Sequence, residues 1–145
     1  MLLEALATVF AGLFAGASIY INLVEHPARL ECGTEIATKQ FAPSYHRASW
    51  MQASLAASGF MAALGAAFQR HAVSLLVAGL LLGAVIPFTL LVILPTNRQL
   101  LSAGLDRSSA EAAKLLVRWG RLHAVRSVMG VVAFGILVWD LARTE

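Results

Sequence analysis

Charge is what this sequence has least of. Of 145 residues only 8 are acidic and 11 basic, 13% in all, where soluble domains carry roughly 25%. A water-soluble domain of this length needs more polar surface than that to cover itself, so water is excluded as the surrounding solvent. Cysteine is nearly absent: Cys32 stands alone, which rules out an intramolecular disulfide and leaves it a bystander. There is no block of basic residues and no low-complexity segment. The net charge of +3 and isoelectric point near 9.6 therefore point to anionic lipid headgroups, and no nucleic-acid partner is expected. The opening Met-Leu-Leu-Glu lacks the positive stretch of a secretory signal, so the first apolar segment is expected to stay as a helix.

What the chain has instead is long apolar runs. Hydrophobic residues make up 59% and mean hydropathy is +0.74. The reading is an all-α, integral membrane four-helix transmembrane bundle, one domain over 1–145, with helices near 2–26, 46–69, 72–94 and 116–140. Ala5 to Val24, Ala48 to Gln69 and Ala72 to Leu94 carry no charge, and each is long enough for a hydrocarbon core of ~30 Å at ~1.5 Å per residue. Pro27 is expected to end the first helix near His26, Pro87 to kink the third and Pro95 to close it. Ala28 to Pro43 reads as a loop or short surface helix. Asn97 to Arg118 reads as a cytoplasmic loop and short amphipathic helix before the fourth crossing, with Ser108 or Ser109 as N-cap. That crossing is the least obvious. Its uncharged part, Ser127 to Trp139, is only 13 residues, so full length requires carrying Arg126, His123 and Trp119 into the membrane.

Gly12 with Gly16, and Gly79 with Gly83, match the small-xxx-small spacing that lets helix backbones approach. Packing within the bundle is the first reading, and a homo-oligomer through these glycine-rich faces is the second.

The chemically capable side chains gather at one end. Asn22, Glu25, His26 and Arg29 fall at i, i+3, i+4 and i+7 and would share a helix face. Tyr45, His46, Arg47 and Trp50 begin the second crossing, Pro95 and Asn97 end the third, and Trp119, His123 and Arg126 open the fourth. Arg126 lies about two turns inside the apolar boundary, where a charge costs at least ~2.5–3.5 kcal/mol. It needs a partner, and Glu25 is the acidic residue best placed. Trp50, Trp119 and Tyr45 are read either as belt anchors or as site residues, and Trp139 as belt.

The run Tyr20-Ile-Asn22-Leu-Val-Glu25-His26-Pro27-Ala-Arg29, the Pro95-Thr-Asn97 turn with Leu100 after it, and Trp119-x-x-x-His123-x-x-Arg126 together resemble a small four-helix membrane family that includes the fungal anthrone oxygenases. The resemblance covers essentially the whole chain in order and spacing. It implies oxygenation of a planar phenolic tricycle at an activated methylene, giving a quinone, with no organic cofactor. On it, His123 is the expected base, Arg126 the oxyanion partner held by Glu25, and His26 a second acid or base. Asn22, Arg29, Tyr45, Trp50, Asn97 and Trp119 would bind the lipophilic substrate. No metal is assigned. Two other readings stay open: a metal- or haem-binding membrane protein using His26, His46 and His123, since imidazole suits several transition metals, and a non-catalytic membrane binding or assembly protein.

Orientation follows from the positive charges. Arg29, Lys39, Arg47, Arg98, Arg107, Lys114, Arg118 and Arg121 fall on the side of the two long loops, and only Arg70 and Arg143 on the side of the termini. In a plasma (inner) membrane both long loops then face the cytoplasm and both termini lie outside. Alkaline phosphatase fused to the C-terminus is expected to be active; a fusion active only as a cytoplasmic reporter would reverse the topology.

Overall fold

The computed structural model describes residues 1–143. It is all-helical, with no strand among the described residues. Four rods, α1 (Leu2–Glu31), α2 (Thr34–Arg70), α3 (Val73–Leu100) and α4 (Ala110–Ala142), are each long and apolar enough to cross a membrane. Each packs on the next, and α1 closes the ring against α4. The connections are tight: Gly33, with φ of 87°, turns α1 into α2, and His71 at φ 50° turns α2 into α3. Only 101–109 is a loop of any length. It ends at Ser109, whose hydroxyl accepts the Ala112 N–H at 3.1 Å and caps α4.

The two surfaces of the bundle explain why it takes this form. Outward-facing positions are apolar, with Leu13, Met61, Phe68, Leu91 and Val128 each more than half exposed. The interior is made chiefly of small side chains, Ala7, Ala11, Ala56, Ala63, Ala78 and Ala133, around Phe14, Leu75, Leu82 and Leu137. A bundle dissolved in water shows the reverse contrast, with polar groups outside. Here close backbone approach replaces hydrophobic contrast as the packing rule. The Phe14 ring lies so near α4 that a Cβ at Gly130 would stand 2.6 Å from it, while Gly12 receives the Phe134 ring and Gly83 that of Phe60. Of the glycines at small-xxx-small spacing, Gly12, Gly79 and Gly83 thus meet neighbouring helices, and Gly16 meets nothing within 4 Å.

The helices are longer than their apolar runs. α1 continues past Pro27 to Glu31, α2 begins at Thr34 with Pro43 inside it, and α3 continues past Pro95 to Leu100. The expected loop over Ala28 to Pro43 is therefore mostly helix. The amphipathic segment after Asn97 is no separate element either, because its second half forms the first turns of α4. One device carries both α1 and α3 through their prolines. Ile21–Glu25 and Thr89–Ile93 are single π turns, in which His26 N–H reaches the Ile21 carbonyl and Leu94 N–H the Thr89 carbonyl. In an unbroken α-helix each proline ring would strike the carbonyl four residues back. The wider turn just before it relieves that clash, so the helix continues where a break was expected.

At the end bearing the termini, Arg70 reaches Glu4 at 2.7 Å and Asp140 at 2.9 Å, and Ser74 donates to Asp140. All four helices meet there through one guanidinium and one hydroxyl. The tightest apolar contact gives a direct test of the packing. Gly130→Val is expected to destabilise the bundle by about 1–3 kcal/mol through overpacking on Phe14, read as a lowered thermal midpoint in detergent, whereas Gly16→Val leaves the midpoint unchanged.

Candidate functional site

At the other end the helices enclose a cavity of about 190 Å³. It is smaller than the roughly 300–1,000 Å³ of drug-sized sites, which suits one small molecule. α2 contributes a wall of small residues, Ala48, Ser49, Ala53 and Ala56. α3 contributes Val85, Ile86, Thr89 and Ile93, and the rings of Phe41, Tyr45 and Trp119 close the outer end. Phe41 stacks on Tyr45 at 5.8 Å and meets Trp119 edge-on at 5.2 Å, so the aromatic wall is braced from two helices.

His123 lines this cavity from α4, stacked on Trp119 one turn before it at 4.8 Å. Behind it Asn22 Nδ2 donates to the Gly120 carbonyl at 3.2 Å, which turns Oδ1 toward His123 Nδ1 at 2.7 Å. Ser127 Oγ reaches the same Oδ1 at 2.5 Å. An amide oxygen only accepts, so Nδ1 carries the imidazole proton and Nε2 keeps its lone pair. Asn22 thereby sets which nitrogen of His123 is basic.

Two arginines line the cavity, and they differ in company. Arg29 is paired with Glu25, and Ser44 bridges the two, accepting from Arg29 at 3.2 Å and donating to Glu25; Gln40 donates to the same carboxylate at 3.2 Å. Arg126 is buried with its guanidinium 5.0 Å from the Phe14 ring centroid, and no carboxylate pairs with it among the described residues. This corrects the expected Glu25–Arg126 pair. Arg126 stands level with Phe14, roughly 16 Å along α1 from Glu25 at ~1.5 Å per residue, while Arg29 lies one turn from Glu25 on the same helix.

The other expected site residues divide plainly. Arg29, Tyr45, Asn97, Trp119, His123 and Arg126 line the cavity. Asn22, Glu25 and His26 stand behind that lining. His26 packs against α4, where a Cβ on Gly120 would come within 2.6 Å of its Nε2, and its ring lies 5.0 Å from Trp119. Trp50 points outward, 82% exposed, because it falls on the face of α2 opposite the cavity. His46 is exposed too, and among the described residues no three His, Cys, Asp or Glu side chains come together to hold a metal ion. Sequence reasoning missed Ser44, Gln52 and Ser127. Ser127 could have been found one turn after His123, whereas Gln52 carries no signal beyond being a long polar side chain in an apolar run.

The family model described as anthrone oxygenase matches residues 41–136, two thirds of the chain. The chain belongs to the anthrone oxygenase family. An anthrone oxygenase of Claviceps purpurea is 30% identical, with 82% of this chain and 77% of the relative covered. Anthrone oxygenase AgnL2 of Paecilomyces divaricatus is 30% identical over 97% and 94%, and anthrone oxygenase tpcL of Aspergillus fumigatus 28% identical over 86% and 84%. No solved structure matches the chain. In this anthrone oxygenase family member the matched segment contains Tyr45, Asn97, Trp119, His123 and Arg126, while Asn22 and Arg29 lie before it.

The hydrogen bonds to Asn22 make a measurable statement. In protein labelled with nitrogen-15 at histidine, His123 is expected to show a protonated Nδ1 and an unprotonated Nε2. Asn22→Leu is expected to abolish that preference, and a protonated Nε2 in the unaltered protein would overturn the assignment.

Proposed function

We propose that this protein is an integral membrane oxygenase. It takes a flat phenolic tricycle of the anthrone kind from the lipid phase and oxidises its activated methylene to a carbonyl with dioxygen. The observation that carries this reading is a histidine with a free Nε2 facing a small apolar cavity, beside a buried arginine that no carboxylate neutralises. The relatives named anthrone oxygenase supply the substrate class.

The chemistry follows from those two groups. His123 Nε2 takes one methylene proton, and the electron pair left behind spreads onto the ring carbonyl oxygen as an enolate. Arg126 offsets that developing charge, where a fixed cation in an apolar site is worth far more than in water. The carbanion end reduces dioxygen and forms a carbon–oxygen bond, and the imidazolium returns its proton to the resulting peroxide. Loss of the second methylene proton with cleavage of the O–O bond leaves a carbonyl and releases water. One oxygen atom enters the product and the other leaves in water, so no further reductant is needed. The aromatic wall of Phe41 and Trp119 packs against the rings, and Asn97 and Tyr45 orient the hydroxyl edge. Arg29, held neutral overall by Glu25, closes the outer end, and His26 braces Trp119. The 101–109 loop and the Gly33 turn lie on the cytoplasmic side.

With anthrone supplied in nanodiscs, His123→Ala is expected to lower oxygen consumption by ~10²–10⁴-fold and Arg126→Met by ~10²–10³-fold, both variants retaining their helical circular dichroism. Undiminished turnover in His123→Ala would remove the base from the mechanism.

A further inference from the structure

Gln52 belongs to no motif and yet occupies the inner wall of the cavity. Along α2 the neighbouring lining positions are Ala48, Ser49, Ala53 and Ala56. The amide is therefore the one long side chain on an otherwise carved-out surface, and it is 1% exposed. Its oxygen is accounted for, accepting from the Ser18 hydroxyl at 3.5 Å. Its Nε2 has no partner. A buried donor without an acceptor is costly in any protein, and more so in a bundle with apolar surroundings, where a methionine of similar length would carry no such cost. An amide is retained against that cost when something that comes and goes completes its hydrogen bonds.

The neighbours indicate what that something is. Ser18, which orients Gln52, lies one turn along α1 from Phe14, on which Arg126 rests with its own Nε unpartnered. Two donors with nothing to donate to thus meet the same end of one cavity, and one of them is a cation. Ser18 is also tied to the base: its carbonyl accepts from Ser127 at 3.3 Å, and Ser127 shares the Asn22 oxygen with His123.

We propose that Gln52 is a specificity-determining residue. Resting on the oxygenase reading above, its Nε2 joins Arg126 in clasping a carbonyl or phenolate oxygen at the inner end of a flat ligand. The cavity then separates an oxygenated polycycle from the hydrocarbon of the same outline, because only the former answers the two donors. The hydrocarbon leaves both of them buried and unanswered, which is the strongest form of rejection open to a small apolar site.

The test is binding, separate from turnover. Anthraquinone and anthracene, nearly equal in outline, are titrated against the full chain in nanodiscs by quenching of Trp119, with Trp50 and Trp139 replaced by Phe. The unaltered cavity is expected to prefer anthraquinone. Gln52→Met is expected to raise the Kd for anthraquinone about tenfold, the loss of one buried hydrogen bond, and to leave that for anthracene unchanged or lower. Ser18→Ala, which only frees the amide, is expected to give a smaller shift in the same direction. Equal weakening of both ligands, or no change for anthraquinone, overturns the proposal. Preference for anthraquinone that Gln52→Met erases, in a protein that consumes no oxygen with anthrone, overturns the oxygenase reading and leaves Gln52 standing. Binding of neither ligand overturns both.

Discussion

The hydrogen bond from His123 Nδ1 to Asn22 Oδ1, 2.7 Å long, is the contact on which the arrangement at this end of the bundle depends. An imidazole and an amide surrounded by apolar residues have no solvent to fall back on, so each must be answered by the other. Satisfying them draws α1 against α4 over two places without side chains, Gly120 and Gly130, where His26 and Phe14 press in. The same bond orients His123, stacks it on Trp119, and through Trp119 sets the aromatic wall. Packing, tautomer and cavity shape are one consequence of it.

The two ends of the bundle treat buried charge differently. Where the termini lie, Arg70 is shared between Glu4 and Asp140, so the cation there has carboxylate partners. At the opposite end Glu25 answers Arg29, but Arg126 rests on an aromatic ring with no carboxylate against it among the described residues. A ring face offsets a buried cation only in part. At one end the arginine is ion-paired, and at the other Arg126 has a ring face where a carboxylate would be expected. That asymmetry separates a site from a clasp more sharply than any single residue type does, since both ends contain arginine and acid.

Much of this was legible in the sequence because lipid imposes simple rules. Three uncharged runs and the spacing of Trp119, His123 and Arg126 suffice for four helices and for the face of α4 that looks inward. Gln52 was not legible, since a single glutamine among alanines has no spacing to betray it; its meaning lies in Ser18, 34 residues away. The partner of Arg126 was misjudged for a different reason. Nearness of Glu25 to the membrane boundary says nothing about which turn of α1 faces which turn of α4.

The run from Asn22 to Arg29 meets two neighbours where one was expected. In an uninterrupted helix Asn22, Glu25, His26 and Arg29 would share one face and meet one neighbour. Asn22 and His26 meet α4, at His123 and at Gly120, whereas Glu25 and Arg29 meet Ser44 on α2. A single helix serves two walls of the cavity, one holding the imidazole and one neutralising an arginine. The second π turn, at Thr89–Ile93, lies in the facing wall, with both of its end residues lining the cavity. The prolines expected to end these helices each stand just past a π turn, and the helix continues through them. Both π turns stand at the level of the cavity, which Ile21, Thr89 and Ile93 line.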